Sequence, residues 1–269
     1  MLDKFKNSAR NFLRPFYSPI TSALRRRLGR NYENHPEMEL PLAFDYVQLD
    51  VERHLHDYLN VQPREISQIV IVGALDASEV VRMERIYPKA RFRCFEPNPN
   101  YYQNLLTKFS EKPNVSISNF ALGKAPGKAT FYELPFPGNG SLLEPDVRKW
   151  ASSNKVAEGN VRSFEVQVST LDCEAADFGS IDLLWMDVQG AEGDVLGGAA
   201  ETLKRTKSIF VEVALVMSSY KGGVLFDEIR TKLESQNFRC LGLGICWWNG
   251  TGNAFFVKDF EKCVAQSFK

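Results

Sequence analysis

The sequence predicts an α/β protein: a doubly wound, mostly parallel sheet that closes in a C-terminal antiparallel hairpin, with helices ahead of it at the N terminus. Three observations predict this. From Ile66 onward, β-branched apolar runs alternate with amphipathic helical runs. Glycine or acidic residues follow directly on several of those apolar runs, where open α/β sheets bind their ligands. The last run folds back through Asn249-Gly250, a hairpin turn signal. The chain has 269 residues, 44% hydrophobic and 25% charged, which suits one large α/β domain with an appendage. We place the boundary between a basic helical arm and linker, residues 1–64, and a sheet domain, residues 65–269.

In order along the chain, residues 2–14 and 20–29 have helical apolar spacing broken by Pro15 and Pro19. Residues 1–30 hold eight basic side chains and one acid, net +7, which leaves −7 for the rest of a neutral chain. Such an arm fits contact with an anionic membrane surface or a partner, or packing on the main domain. Residues 31–42 read as linker and 45–59 as a helix. The run 66–72 is a buried strand stopped by Gly73. A helix over 76–87, a strand over 91–95, a helix over 98–109 and a strand over 115–120 complete a βαβαβ unit. An extra strand follows at 128–134, a Gly- and Pro-rich surface loop at 135–145, and a strand at 164–168. The second half resumes with strand 181–186, helix 191–205, strand 209–213 and helix 224–236. The hairpin then pairs 239–245 with 254–257.

Composition excludes several classes. A net charge of zero gives no reason to expect a nucleic-acid partner. The five cysteines (Cys94, Cys173, Cys240, Cys246 and Cys263) form no Cys-x-x-Cys pair, so zinc spacing is absent and reduced thiols are expected. No signal peptide is visible, and no run approaches the ~18 apolar residues of a membrane span. The expected location is cytoplasmic, at most peripheral to the inner face of a membrane. Three histidines (His35, His54 and His56) fall outside the strand ends, and two of them at i, i+2 on a helix do not share a face; no metal site is expected. Trp247-Trp248 suits a core or edge position as well as stacking on a sugar.

The candidate site residues stand at the strand ends. Gly73-Ala74 permits a tight turn and close approach of backbone to a ligand. Glu96 lies 23 residues after Gly73, near the spacing of an acid whose two oxygens accept from ribose hydroxyls; Pro97 and Asn98 follow it into the next helix. Asn119-Phe120-Ala121 stands where an adenine ring would lie. Asp187 directly follows an apolar strand and precedes a glycine and a helix. Glu212 sits inside an apolar run, Phe210-Val-Glu-Val213, where a carboxylate costs several kcal/mol unless partnered, about the penalty for any buried polar group. A structural ion pair is the other reading of these acids.

Five segments, Phe95-Glu-Pro-Asn-Pro99, Asn119-Phe-Ala-Leu-Gly123, Ser141-Leu-Leu143, Thr170-Leu-Asp172 and Asp187-Val-Gln-Gly-Ala-Glu192, with Glu212 and Tyr220-Lys-Gly222 after them, resemble in order the FkbM-type methyltransferases over 66–260. The resemblance implies a class I methyltransferase fold, with a reversed last strand inserted in the sheet. It also implies S-adenosylmethionine as cofactor and O-methylation of a sugar, glycan or natural-product hydroxyl. On this reading Gly73, Ala74, Asp76, Glu96, Pro97, Asn98, Asn119, Phe120, Ala121 and Asp187 bind the cofactor. Ser141, Glu192, Glu212 and Tyr220 face the acceptor, and Asp187 or Glu212 is the general base. A divalent metal held by these acids is the other route to an activated hydroxyl.

The chain departs from the family's first motif, an acid and an apolar residue before Gly-Ala-Asn-x-Gly: here it reads Ile71-Val-Gly-Ala-Leu-Asp-Ala77, and Asp76 stands in nearby. Trp185 replaces a Lys often found ahead of the later Asp. Two alternatives follow: a catalytically impaired binding protein on this fold, and a nucleotide-dependent oxidoreductase. Against the latter, no Gly-x-Gly-x-x-Gly follows the first strand.

Overall fold

A computed structural model describes residues 51, 55, 59, 62–149, 160–246 and 250–259. Both arm helices, the linker, the three histidines, Trp247, Trp248, Asn249 and Cys263 lie outside those residues. Three described positions precede residue 62. Val51, Leu55 and Leu59 are helical and spaced by four, and Val51 and Leu55 are buried in the core. The core therefore draws on residues ahead of the 64/65 boundary.

Strands β1 (Gln68–Val72), β2 (Arg91–Phe95) and β3 (Val115–Ser118) alternate with helices α1 (Ser78–Ile86) and α2 (Pro99–Lys108). After them come β4 (Ala121–Leu122), β5 (Gly127–Glu133), β6 (Gly140–Ser141), β7 (Arg162–Ser169) and α3 (Leu171–Glu174). The chain continues through β8 (Ile181–Met186), α4 (Glu192–Gly197), α5 (Ala200–Lys204), β9 (Thr206–Ala214), α6 (Phe226–Glu234), β10 (Phe238–Cys246) and β11 (Thr251–Lys258). The seven-stranded sheet runs β10-β11-β9-β8-β1-β2-β3. All pairs are parallel except those of β11, which is antiparallel to both β9 and β10. The hairpin expected at the C terminus thus inserts its second strand into the sheet and leaves its first at the edge.

Period-two alternation sorts the β-branched runs between two apolar layers. Val70, Val72, Leu184, Met186, Ile209 and Val211 face one layer, which α6 closes with Phe226, Ile229 and Leu233. Ile69, Ile71, Leu183, Trp185 and Phe210 face the other, closed by Val80 and Met83 of α1 and Leu105 of α2. Each such fully buried aliphatic side chain contributes about 1.5–3 kcal/mol relative to exposure.

The middle of the chain differs from the expectation. The strand predicted over 115–120 ends at Ser118, and Ala121 starts a second, four-stranded sheet in the order β4-β7-β5-β6. The loop predicted over 135–145 contains β6, paired with β5 through Tyr132 and Ser141. The helix predicted over 191–205 is divided at Gly197-Gly198. A Cβ on Gly198 would collide with the main-chain oxygen of Gly123 and crowd Thr170, so the chain bends where β4 passes.

Candidate active site

Strand register builds the site. Ser118, Phe95, Val72, Met186 and Val211 pair across β3, β2, β1, β8 and β9 as one row. The next residue on each strand is Asn119, Glu96, Gly73, Asp187 and Glu212. Five positions picked separately from the sequence therefore stand side by side along the carboxyl rim. The winding direction reverses between β1 and β8, the place where doubly wound sheets bind ligands.

Gly73 is required by geometry. Its φ is +84°, and a Cβ there would collide with the carbonyl oxygen of Asp187. Asp187 in turn donates its N–H to Val72 O at 3.0 Å, so β1 and β8 are laced together at this point. Beyond it, Leu75 and Ala77 both have φ +48°. These are the positions of the missing Asn and Gly. The backbone takes left-handed turns here with residues that lack the freedom of Gly or Asn, at about 1–2 kcal/mol each. Asp76 Oδ1 accepts from Ser78 N at 3.0 Å, which supplies the cap that Ala77 cannot. Helix α1 accordingly begins at Ser78 rather than at residue 76.

Glu96 is 5% exposed. Its Oε2 accepts from Leu75 N at 2.7 Å and its Oε1 from Asn98 N at 2.9 Å, which leaves further lone pairs on both oxygens facing the cleft. Burial, with Glu133 nearby, pushes its pKa up to about 7. Asn98 caps α2 through Asn100 N at 3.0 Å and donates to Glu133 Oε1 at 2.9 Å.

Two of the expected site residues turn their side chains to backbone and do not line the cleft. The Asn119 amide donates to the carbonyls of Glu96 (2.8 Å) and Pro97 (3.1 Å) and so holds the Glu96 segment in place. Glu192 is the second. It is 3% exposed, and its Oε1 accepts from Val188 N and Gly190 N at 3.1 and 3.2 Å, bracing the turn after β8. Burial pushes its pKa to about 7 as well.

The cleft is open to solvent, with about 960 Å³ of space between its walls, open solvent included. Gly73, Ala74, Asp76, Glu96, Pro97, Asn98, Phe120, Ala121, Ser141 and Asp187 all line it. The second sheet and its loop form the facing wall through Phe131, Glu133, Phe136 and Gly140. Ser141 is turned inward, accepting from Leu143 N at 3.0 Å. Glu212 and Tyr220 stand behind the lining and connect to it through Gln189. The Gln189 amide nitrogen donates to Asp187 Oδ1 at 2.8 Å and Glu212 Oε2 at 2.7 Å, and its carbonyl accepts from the Tyr220 hydroxyl at 3.2 Å. Burial raises the pKa of both acids, and Asp187 pushes Glu212 further up. Asp187 is itself exposed where it opens onto the cleft.

The sequence reading missed Glu79, Glu133 and Gln189. Gln189 lies inside the segment Asp187–Glu192, but nothing local shows that its amide joins residues on two strands. Glu79 and Glu133 resemble any exposed acid on a helix or sheet edge; only the cleft brings them beside Glu96 and Asp187. Five acids (Asp76, Glu79, Glu96, Glu133 and Asp187) line the cleft, and among the described residues no basic side chain does. Nor do three His, Cys, Asp or Glu side chains group as metal ligands among the described residues. No described helix is long and apolar enough to cross a membrane.

A sheet in this order with a reversed strand inserted next to its edge, and a ligand cleft over the β1 and β8 ends, defines a Rossmann-like class I methyltransferase fold. Residues 72–240 match the model of the FkbM methyltransferase domain, and the chain belongs to that family. S-adenosylmethionine is the family's methyl donor, and Gly73, Glu96 and the acidic lining fit it. The chain is 31% identical to the 2-O-methyltransferase NoeI of Sinorhizobium fredii over 54% of its own length and 62% of NoeI, less than two thirds of that protein. It is 28% identical to Methyltransferase 1 of Beauveria bassiana over 64% of itself and 72% of that protein. Fibrillarin of Aeropyrum pernix, solved with natively bound S-adenosyl-L-methionine, superposes with a TM-score of 0.42 at 12% identity, over 73% of this chain and 69% of that one.

Proposed function

We propose that the protein transfers the methyl group of S-adenosylmethionine to a hydroxyl oxygen of an uncharged sugar, glycan or natural-product acceptor. The observation that carries this reading is the acid-lined cleft, whose lining among the described residues includes no basic side chain. The donor carries a sulfonium and an ammonium against one carboxylate, so it is net cationic and is attracted there. A dinucleotide pyrophosphate would meet five acids and, among the described lining residues, no basic side chain, although Arg162 pairs with Glu133 beside it; this disfavours the oxidoreductase reading. The left-handed turns at Leu75 and Ala77 still bring the Leu75 N–H onto Glu96 despite the altered residues, which disfavours loss of binding. The name of NoeI, a 2-O-methyltransferase, supports oxygen as the accepting atom.

The donor supplies an electrophilic methyl carbon. This chain's residues do the rest. Glu96 holds the ribose hydroxyls. Asp187, at the cleft and paired with Glu212 behind it, takes the proton of the acceptor hydroxyl as its oxygen bonds to the methyl carbon and the carbon–sulfur bond breaks, with the electron pair leaving on sulfur. The products are a methyl ether, the neutral thioether and a proton on the acid pair. Phe131 and Phe136, on the facing wall, restrict water.

Calorimetry with S-adenosylmethionine, S-adenosylhomocysteine and NAD tests the donor assignment: binding of the first two and none of NAD is expected, and the reverse order would end it. A panel of sugars and glycans with methyl-labelled donor tests the acceptor. Glu96→Gln is expected to weaken donor binding by about 10- to 100-fold, the size of a lost charged hydrogen bond. In the parent protein, donor affinity should fall as pH drops through about 7, where Glu96 takes up a proton; in Glu96→Gln that dependence should flatten. The sign for folding is opposite. Glu96 and Glu192 have raised values in the folded state, so their contribution to stability is full below the ordinary carboxyl range and is lost as pH rises through about 7. The ligand-free protein should therefore melt at higher temperature at pH 5.5 than at pH 8.

A further inference from the structure

The turn after β8 carries one more residue with a part in this chemistry. Gln189 has φ +56°, a left-handed conformation that glutamine seldom adopts, and it is followed by Gly190 at φ +93°. Three supports hold the turn in that shape: the Asp187 N–H on Val72 O, the Val188 and Gly190 N–H groups on Glu192, and close packing of Gly190 against Tyr220 and Ser218. The result swings the Gln189 amide between two strand-borne carboxylates, at 2.8 Å from Asp187 and 2.7 Å from Glu212.

The orientation of the amide follows from the groups at both its ends. The Tyr220 hydroxyl is 3.2 Å from Gln189 Oε1 and 3.1 Å from the carbonyl oxygen of Asn139. The hydroxyl has one hydrogen, shared between these two acceptors, while the NH₂ group faces the two acids. A carboxamide turned the other way would set its oxygen against two carboxylates. Asn139 belongs to the loop of the facing wall, so one chain of hydrogen bonds runs from that wall through Tyr220 and Gln189 to both acids.

We propose that Gln189 is a positioning residue whose amide clamps Asp187 and Glu212 into a pair that holds one proton between them, with Tyr220 locking the clamp. This rests on the reading of the acid pair as the proton acceptor. Two carboxylates in mutual contact cannot both ionise freely. The two N–H donors compensate one negative charge without adding a positive one, which a lysine or arginine would do. The pair then keeps one acceptor oxygen for the hydroxyl proton of the substrate. The other titratable groups that face it are Glu192 from α4, Glu79 from α1 and Tyr220 after β9. All are acids, and the two glutamates add to the repulsion that the amide offsets.

The test uses the full chain and two variants, Gln189→Met, which keeps length and loses the amide, and Tyr220→Phe, which removes only the lock. Carboxyl carbons of ¹³C-labelled Asp and Glu are titrated by NMR without acceptor, and kcat and the donor KM are followed over pH with the best acceptor. Loss of two donors to the singly charged form should make the first proton of the fully protonated pair harder to remove, by at least tenfold in Gln189→Met and by less in Tyr220→Phe. The acidic limb of the kcat profile should move to higher pH by the same amount, with donor KM changed less than threefold. If both variants titrate like the parent, Gln189 only shapes the turn and the proposal is overturned. Should Gln189→Met not fold, Tyr220→Phe alone decides between these outcomes. A shifted titration in a protein that methylates no acceptor would leave the clamp standing and remove the proposed function instead.

Discussion

Gly73→Ala is expected to be the most damaging single substitution in the donor cleft. Two costs combine. The methyl group must enter space held by the main-chain oxygen of Asp187, and the residue must keep φ near +84°. The left-handed conformation alone costs about 1–2 kcal/mol and forced overpacking about 1–3 kcal/mol. The obstacle is backbone, tied to Val72 by a hydrogen bond, so it cannot rotate aside as a side chain would. Melting temperature should fall by about 5–15 °C, taking 2–4 °C per kcal/mol for a domain of this size. Donor affinity should drop by more than about 100-fold, because any relaxation moves Asp187 and the Leu75 N–H that holds Glu96. Gly127→Ala is the control: a Cβ there meets nothing. Unchanged melting and donor affinity in Gly73→Ala would show that β1 and β8 do not meet as described.

Asp187→Asn and Glu212→Gln are each expected to lower kcat by about 100-fold or more, the usual contribution of a general base. Each replacement keeps the side-chain shape and removes a member of a crowded acid pair, so the fold should persist and melting should be unchanged or slightly higher. The donor dissociation constant should change less than about tenfold, since Glu96 and the Gly73 loop still hold it. The double variant should be little worse than either single one, because the acids act as a unit. Single-turnover transfer from a labelled donor separates this from slow product release. If neither single variant slows that step, the proton goes elsewhere.

How much of the fold is legible in the sequence depends on the range of the signal. Strand positions follow from apolar runs such as Ile69-Val-Ile-Val72, because a strand buried on both faces leaves a continuous record in its own residues. Helix starts are less accurate. The pattern opens α1 at residue 76, but its cap works through Asp76 Oδ1 on Ser78 N, after a left-handed Ala77 that no propensity would place there. The second sheet has no such record. β4 and β6 are two residues each, too short to show a period, and they exist because β7 and β5 offer them edges.

The site divides in the same way. Glu96, Asp187 and Glu212 stand out because a charge following or interrupting an apolar run is conspicuous in one dimension. Asn119 and Glu192 are equally conspicuous, yet their side chains bind backbone, and only the folded chain shows which way a polar group turns. Gln189, Glu79 and Glu133 are silent. What the sequence determined by itself was the order of the main-sheet strands and most of the helices between them, and the polar residues that follow or interrupt those strands, since both depend on local pattern. What the tertiary structure alone decided was the level row of those ends, the acidity of the cleft they share, and the amide set between two carboxylates. Those depend on register and on contacts between strands far apart in the chain, and no local pattern records them.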